Sequence, residues 1–172
     1  GNKTVIKPAD KGSSVGLKCP EGVAETDAAL KDLDNGQWMA ESFFKGRELS
    51  VGVLNGRAMG IVEIKPEGGV YDFKRKYTAG STKYEFPAQI GSENTKKIQD
   101  AAERAYIACG CRDFCRVDFI LGETSFIALE INTLPGMTPT SLLPKSASCI
   151  GLSFNDLCNE MVKPAIQRFL NS

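Results

Sequence analysis

The chain has 172 residues, of which 42% are hydrophobic and 24% charged, a balance typical of a globular protein with a buried core. Its 21 basic residues equal its 21 acidic residues, so net charge favours neither nucleic acid nor an anionic membrane as a partner. Apolar runs are too short to span a bilayer, and no signal-peptide pattern is present. The sequence starts without Met and enters a strand-like segment at once, so we expect a piece of a longer protein.

Alternation and turn residues predict the elements of the first half. We predict strands at residues 4–7, 38–44, 49–54 and 57–64, a Gly/Ser-rich loop at 11–16, and a helix near 25–33. The pair Lys45-Gly46 marks the expected joint between two domains.

The pair Asn55-Gly56 predicts a β-hairpin, because both residues tolerate positive φ. Residues 66–87 are rich in Gly, Lys and Tyr and show no clear period, so we expect a long loop there. We expect residues 71–87 of this loop to form a mobile lid.

The second half mixes helical and strand patterns. We predict a helix with Ser92 as its N-cap and Gly110 after its end, strands at 116–121 and 126–132, and a further N-cap at Ser141. The apolar stripe expected on the first of these helices is Ile98, Ala101, Ala102, Ala105, Tyr106 and Cys109.

The last helix is expected to begin at Ser153, with Asp156 completing a capping box and Pro164 causing a kink. Its expected core face is Phe154, Leu157, Met161, Ala165 and Phe169. Strands and helices mix without βαβ alternation, which predicts an α+β fold.

Four polar residues follow the alternation of the two strands, at Arg116, Asp118, Glu130 and Asn132. A three-residue turn would place residue 118 opposite 128 and residue 116 opposite 130, with all four polar side chains on one face. Hard oxygen ligands grouped in this way suit Mg²⁺, although a solvated sheet face gives the same pattern. The residues expected on the opposite, core-facing side are Val117, Phe119, Leu129 and Ile131.

Two loops could present backbone N–H groups to anions. Lys7 ends a strand just before the Gly/Ser loop, which suits phosphate, although an ordinary surface turn is an equal alternative. Residues 132–142 carry two prolines and a glycine before a helix start, which suits a carboxylate or phosphate, or else forms a rigid connector.

Six cysteines are present, with three close together at Cys109, Cys111 and Cys115. Their spacing does not match a zinc ribbon, and the chain has no histidine. We expect reduced cysteines that pack as small hydrophobic residues.

Taken in order, several motifs resemble the D-alanine–D-alanine ligase family of the ATP-grasp superfamily. They are Lys7-Pro-x-x-x-Gly-Ser-Ser-Val-Gly16, Lys45-Gly-Arg-Glu48, Tyr71-Asp72-Phe-Lys-Arg-Lys76-Tyr77, Gly110-Cys-Arg-Asp-Phe-Cys-Arg116-Val-Asp118, and Glu130-Ile-Asn132-Thr-Leu-Pro-Gly136-Met-Thr-Pro-Thr-Ser141. The resemblance covers nearly the whole chain, and the last motif is specific to these ligases. It implies an ATP-grasp fold, with residues 1–44 as the C-terminal half of the central subdomain and 45–172 as the catalytic domain.

The resemblance also implies a role for each matching position. The residues expected to bind ATP are Lys7, Ser13, Ser14, Glu41, Phe43, Phe44, Glu48, Lys76, Ile120 and Leu129. Asp118, Glu130 and Asn132 match the ligands of two Mg²⁺ ions, which Mn²⁺ could replace. Arg116, Gly136, Ser141 and Tyr77 match catalytic positions, and Lys76, Arg116, Gly136, Ser141 and Leu142 match substrate contacts.

The implied activity is ATP-dependent ligation of two D-alanines through an acyl phosphate, in a cytoplasmic enzyme of peptidoglycan precursor synthesis that is a homodimer at full length. The family's N-terminal domain is absent, so these 172 residues are expected to be inactive alone. Two alternatives stay open: a ligase that makes D-alanyl-D-lactate or D-alanyl-D-serine, and a non-catalytic nucleotide-binding module of the same fold.

Overall fold

The computed structural model of the chain describes residues 3–11, 15–66 and 82–171. The chain divides into two compact units, one formed by Gly1–Lys45 and Pro66–Lys83, the other by Gly46–Lys65 and Tyr84–Ser172. Assignment of the first unit to a central ATP-grasp subdomain stays a prediction.

The first unit contains β1 (Thr4–Pro8), α1 (Gly22–Lys31) and β2 (Trp38–Ser42), with β1 and β2 paired antiparallel. The helix starts at Gly22, three residues before the predicted start near residue 25. The carboxylate of Glu25 accepts a hydrogen bond from the N–H of Glu21 at 2.8 Å, which stabilises this earlier first turn. No residue of α1 is buried.

The second unit is built on a five-stranded sheet with the order β5-β4-β3-β6-β7. Its strands are β3 (Arg47–Leu54), β4 (Arg57–Pro66), β5 (Thr82–Glu85), β6 (Phe114–Leu121) and β7 (Phe126–Asn132). The pairs β3–β4, β3–β6 and β6–β7 are antiparallel. Asn55 and Gly56 have φ of 51° and 78°, so the predicted Asn-Gly hairpin is confirmed.

The expectation of a loop throughout residues 66–87 is wrong at its C-terminal end, because Thr82–Glu85 adds β5 to the edge of the sheet. Lys76 and Tyr77, and most of the expected lid, lie outside the described residues.

Helix α2 (Ser92–Ala108) covers one face of the sheet. Its Ile98 and Ala102 are fully buried in the core there, as predicted, against residues such as Val51 and Phe119. Cys109 was expected to extend this apolar stripe but is exposed, because the helix ends at Ala108. The N-cap is Gly91, at φ 78°, and not Ser92.

Helices α3 (Leu142–Ser148) and α4 (Phe154–Leu170) belong to a second core cluster. Its buried residues are Leu54, Met59, Leu143, Ala147 and Leu157. The capping box of Ser153 and Asp156 is confirmed.

The predicted core face of α4 is confirmed for Leu157 and Met161 and is wrong for its other three residues. Phe169 is 80% exposed, and Phe154 and Ala165 are exposed as well. Near the end of the helix, the guanidinium of Arg168 donates two hydrogen bonds to Asp113 at 2.6 and 2.5 Å. Among the described residues, the second core cluster takes no residue of α4 after Met161, so the apolar positions of the last turns lie outside the core.

Candidate active site

The polar residues of β6 and β7 lie at directly paired positions. Asp118 faces Glu130, and Arg116 faces Asn132. Because directly paired residues of an antiparallel ladder project to the same side, all four side chains share one face of the sheet. The common face predicted from the sequence is therefore confirmed.

The register that brings them together differs from the predicted one. The turn has four residues and not three, since the N–H of Gly122 donates to the carbonyl of Ser125 at 2.8 Å. Phe119 pairs with Ala128, so the strand β7 carries one extra residue at Leu129. Leu129 is 42% exposed and does not belong to the core face on which we expected it.

Asp118 is the most firmly held carboxylate of this face. Arg116 donates to both of its oxygens, from Nε at 2.9 Å and from a terminal nitrogen at 2.7 Å. The hydroxyl of Ser50, on the neighbouring strand β3, donates to Asp118 Oδ1 at 2.7 Å. The side chains of Arg116 and Asp118 are only 13% and 9% exposed, so the pair is shielded from solvent. Such charge-assisted bonds fix both groups in place.

Ser50 was missed by the sequence reasoning. It is the one hydroxyl residue in the apolar run of β3 and is 1% exposed. A buried hydroxyl requires a hydrogen-bond partner, and that rule alone could have indicated a polar neighbour.

Glu130 is the accessible carboxylate of the pair of strands. Its side chain is 54% exposed, with Oε1 3.8 Å from Arg116. Asn132 Oδ1 accepts a hydrogen bond from the N–H of Leu134 at 3.0 Å, which orients the amide.

These groups fit a hard divalent cation. Mg²⁺ prefers a few carboxylate oxygens and leaves other positions to water or phosphate. Asp118, Glu130 and Asn132 provide two carboxylates and one amide oxygen on one face. The described residues contain no group of three or more His, Cys, Asp or Glu side chains that could hold a metal ion.

The loop before α3 brings Gly136 and Ser141 together. A Cβ on Gly136 would lie 2.9 Å from Ser141 Oγ. Ser141 occupies the N-cap position of α3, but its hydroxyl accepts from the N–H of Thr138 at 2.9 Å and does not cap the helix. Leu142, the first residue of the helix, follows directly.

Two of the residues expected to bind nucleotide in this unit are neighbours in the sheet. Glu48 of β3 pairs with Ile120 of β6. Ile120 shares the face of Asp118, two residues away. A Cβ on Gly46 would lie 2.6 Å from Ile120 Cγ2, so only glycine allows this close approach.

The first unit holds other residues of the expected nucleotide site. Lys7 Nζ lies 2.6 Å from Glu41 Oε2. Phe43 stacks under Lys3 Nζ at 4.7 Å from the ring centroid, and Phe44 is half-buried. Ser13 and Ser14 lie outside the described residues.

All six cysteines of the described residues are free, and of the three clustered ones Cys115 is buried and Cys111 half-buried. Cys109 is exposed, so the expectation that it packs as a small hydrophobic residue is wrong. Burial, together with neighbouring Cys111 and Cys109, raises the pKa of the Cys115 thiol to about 12. Among the described residues, none of the helices is long and apolar enough to cross a membrane.

Antiparallel strands with helices against them give the chain the α+β architecture of the ATP-grasp fold. The family described as D-ala D-ala ligase C-terminus matches residues 3–163. A D-alanine–D-alanine ligase of Anaeromyxobacter sp. strain K is 45% identical over 168 residues, which are 96% of this chain and 54% of that protein. The chain therefore belongs to the D-alanine–D-alanine ligase family.

Two solved structures show the same relationship. The D-alanine–D-alanine ligase from Bacillus anthracis complexed with ATP has a TM-score of 0.80 at 25% identity, over 97% of this chain and 53% of that one. The VanG D-Ala:D-Ser ligase from Enterococcus faecalis has a TM-score of 0.81 at 33% identity, over 94% and 49%. The chain spans about half the length of the relatives it matches.

Proposed function

We propose that the complete protein containing this chain joins two molecules of D-alanine at the expense of ATP. The observation that carries the proposal is the pairing of Asp118 with Glu130 and of Arg116 with Asn132 on one face. A non-catalytic nucleotide-binding module would not require a shielded Arg116–Asp118 pair beside an accessible Glu130.

The reaction has two steps. A carboxylate oxygen of the first D-alanine attacks the γ-phosphorus of ATP, which releases ADP and forms an acyl phosphate. The amino nitrogen of the second D-alanine then attacks the acyl carbon, and the C–O bond to phosphate breaks after a tetrahedral intermediate. The nitrogen loses a proton, and the products are D-alanyl-D-alanine and inorganic phosphate.

On this proposal Asp118, Glu130 and Asn132 would hold two Mg²⁺ ions, which would neutralise charge on the phosphates. Arg116 and the N–H of Gly136 donate to the oxyanion of the tetrahedral intermediate, and Tyr77 is proposed as a further catalytic residue because it matches a catalytic position of the family. Removal of one such donor costs roughly 3 kcal/mol of transition-state stabilisation. Ser141, the N–H of Leu142 and Lys76 hold the carboxylate of the second D-alanine.

ATP is held, on the same proposal, by the family positions that the chain retains. These are Lys7, Ser13, Ser14, Glu41, Phe43, Phe44, Glu48, Lys76, Ile120 and Leu129. Lys7 Nζ lies 2.6 Å from Glu41 Oε2, and the ammonium has further N–H groups to donate to phosphate. The complete enzyme is proposed to be a cytoplasmic homodimer that supplies peptidoglycan precursors.

The test is a product assay on the complete protein with ATP, Mg²⁺ and D-alanine. We expect D-alanyl-D-alanine and one phosphate per dipeptide, with D-serine and D-lactate competing poorly as second substrates. Preference for D-serine would favour the alternative that the Enterococcus faecalis relative suggests. Glu130→Gln should abolish ligation, whereas Glu123→Gln, at an exposed turn position, should leave it unchanged.

A further inference from the structure

The hairpin of β3 and β4 contains a bulge. Val51 pairs with Ile61 but Val53 pairs with Ala58, so two residues of β4 lie opposite Gly52 alone. A bulge interrupts the ladder and leaves backbone N–H and C=O groups that need other partners.

A buried serine of α3 supplies two of those partners. Ser146 is 1% exposed, and its hydroxyl accepts from the N–H of Gly52 at 2.9 Å and donates to the carbonyl of Gly60 at 2.5 Å. On the other face of the sheet, Gln99 of α2 donates to the carbonyl of Met59 at 2.8 Å. The bulge is thus held from both faces by side chains of two different helices.

Close packing fixes the distance between α3 and the bulge. A Cβ on Gly60 would lie 2.1 Å from the Cβ of Cys149, and one on Gly52 would lie 2.7 Å from Leu143 Cδ1. Ser146 therefore forms its two hydrogen bonds where α3 and the sheet are already in van der Waals contact. A shift of α3 relative to the bulge would break these two hydrogen bonds.

The bulge lies next to the proposed reaction centre. Gly52 of β3 pairs with Arg116 of β6, which is the proposed hydrogen-bond donor to the oxyanion. Along the chain, Ser146 follows Ser141 by five residues, and Ser141 is the N-cap of the same short helix. One hydroxyl therefore connects the strand beside Arg116 to the helix that begins with Leu142.

We propose that Ser146 is a positioning residue for the second substrate. By tying α3 to the bulge, its hydroxyl sets the distance between Arg116 and the carboxylate-binding pair of Ser141 and Leu142. This inference rests on the proposed ligase function. A misplacement of about 1 Å at a distance from the reacting atoms can cost up to about 100-fold in rate.

The test compares Ser146→Ala with two controls in the complete ligase. Gln99→Ala removes a hydrogen bond to the same bulge from the face that does not carry α3, so it reports the effect of lost stability alone. Ser148→Ala removes an exposed hydroxyl of α3 that donates to the carbonyl of Lys145 within the same helix. The readouts are kcat, the KM for ATP and the two constants for D-alanine, one for each site.

We expect Ser146→Ala to raise the KM for the second D-alanine about tenfold, with the KM for ATP within about twofold of wild type. Both controls should leave the two constants near wild type. The inference is overturned if Ser146→Ala changes the KM for the second D-alanine no more than Gln99→Ala does. If Ser146→Ala does not fold, Ser146→Cys, which keeps a weak donor and acceptor, should show a smaller rise, and an unchanged KM would overturn the inference.

A second readout separates this inference from the function itself. Amide exchange in the 172-residue chain needs no substrate, and Ser146→Ala should accelerate exchange at Gly52 and at the start of α3. A wild-type complete protein that makes no dipeptide would refute the proposed function. Unchanged exchange at Gly52 in the variant would refute the role of Ser146.

Discussion

Arg116→Met is the substitution that most sharply tests the electrostatics of the candidate active site. It removes both hydrogen bonds from the guanidinium to Asp118 and leaves a carboxylate on a side chain that is only 9% exposed. The one described partner that stays is the hydroxyl of Ser50, which donates at 2.7 Å.

The expected cost follows from this geometry. Removing one partner of a buried ion pair destabilises a protein by about 3–5 kcal/mol, because the other charge is left uncompensated. Since Ser50 still donates one hydrogen bond to Asp118, we expect about 3 kcal/mol, at the lower end of that range. Replacing both charges, in Arg116→Met/Asp118→Leu, should cost only about 1–2 kcal/mol, chiefly from the buried hydroxyl that loses its acceptor.

The assay is urea unfolding of the 172-residue chain, followed by circular dichroism at 222 nm, for both single variants and the double variant. The losses in unfolding free energy caused by the two single substitutions should add up to at least about 1.5 kcal/mol more than the loss in the double variant, as expected for groups in direct contact. A cost below about 1 kcal/mol for Arg116→Met would mean that the pair behaves as a solvated surface pair, and the shielded site described above would be wrong.

Gly60→Ala should lower the free energy of unfolding in urea by about 1–3 kcal/mol, because the new Cβ would overlap the Cβ of Cys149. Adding Cys149→Gly should recover part of that loss. Full stability of Gly60→Ala would contradict the close approach. The ion pair with Arg168 lowers the pKa of Asp113 below its ordinary value. The stabilisation of the fold by this pair is therefore complete at a pH above the ordinary pKa, and it is lost as the pH falls through the folded-state pKa. The thermal midpoint of the wild-type protein should therefore fall more steeply below about pH 4 than that of Asp113→Asn. Asparagine is chosen because it tolerates the positive φ of residue 113. Parallel curves of thermal midpoint against pH would count against the ion pair. Cys115, with its pKa raised to about 12 and its side chain buried, should resist a thiol reagent at neutral pH until urea unfolds the chain; peptide mass spectrometry showing native labelling would refute this.

The common face of Arg116, Asp118, Glu130 and Asn132 could be predicted because side chains alternate in any strand, whatever its partner. The register could not, since it depends on whether the turn closes between Gly122 and Ser125 and on one extra residue in β7. Both depend on local backbone conformations that several turn sequences can adopt.

Contacts that depend on the order of the strands in the sheet could not be predicted from the sequence either. Ser50 reaches Asp118 only because β3 lies between β4 and β6, and Ser146 meets Gly52 only because α3 packs over the bulge. The Asn55-Gly56 hairpin was predictable, because its signal lies entirely within the turn. The core face of α4 was misplaced at its ends, because the helical period predicts a stripe but not where along the helix the neighbouring core ends.

The most direct test of the proposed chemistry follows the carboxylate oxygen of D-alanine. The complete protein would be incubated with ATP, Mg²⁺ and D-alanine labelled with ¹⁸O in its carboxylate, and the inorganic phosphate analysed by mass spectrometry. An acyl phosphate intermediate predicts that each phosphate released with dipeptide carries one ¹⁸O atom. Dipeptide accompanied by unlabelled phosphate, or phosphate released at the same rate without D-alanine, would contradict the proposal.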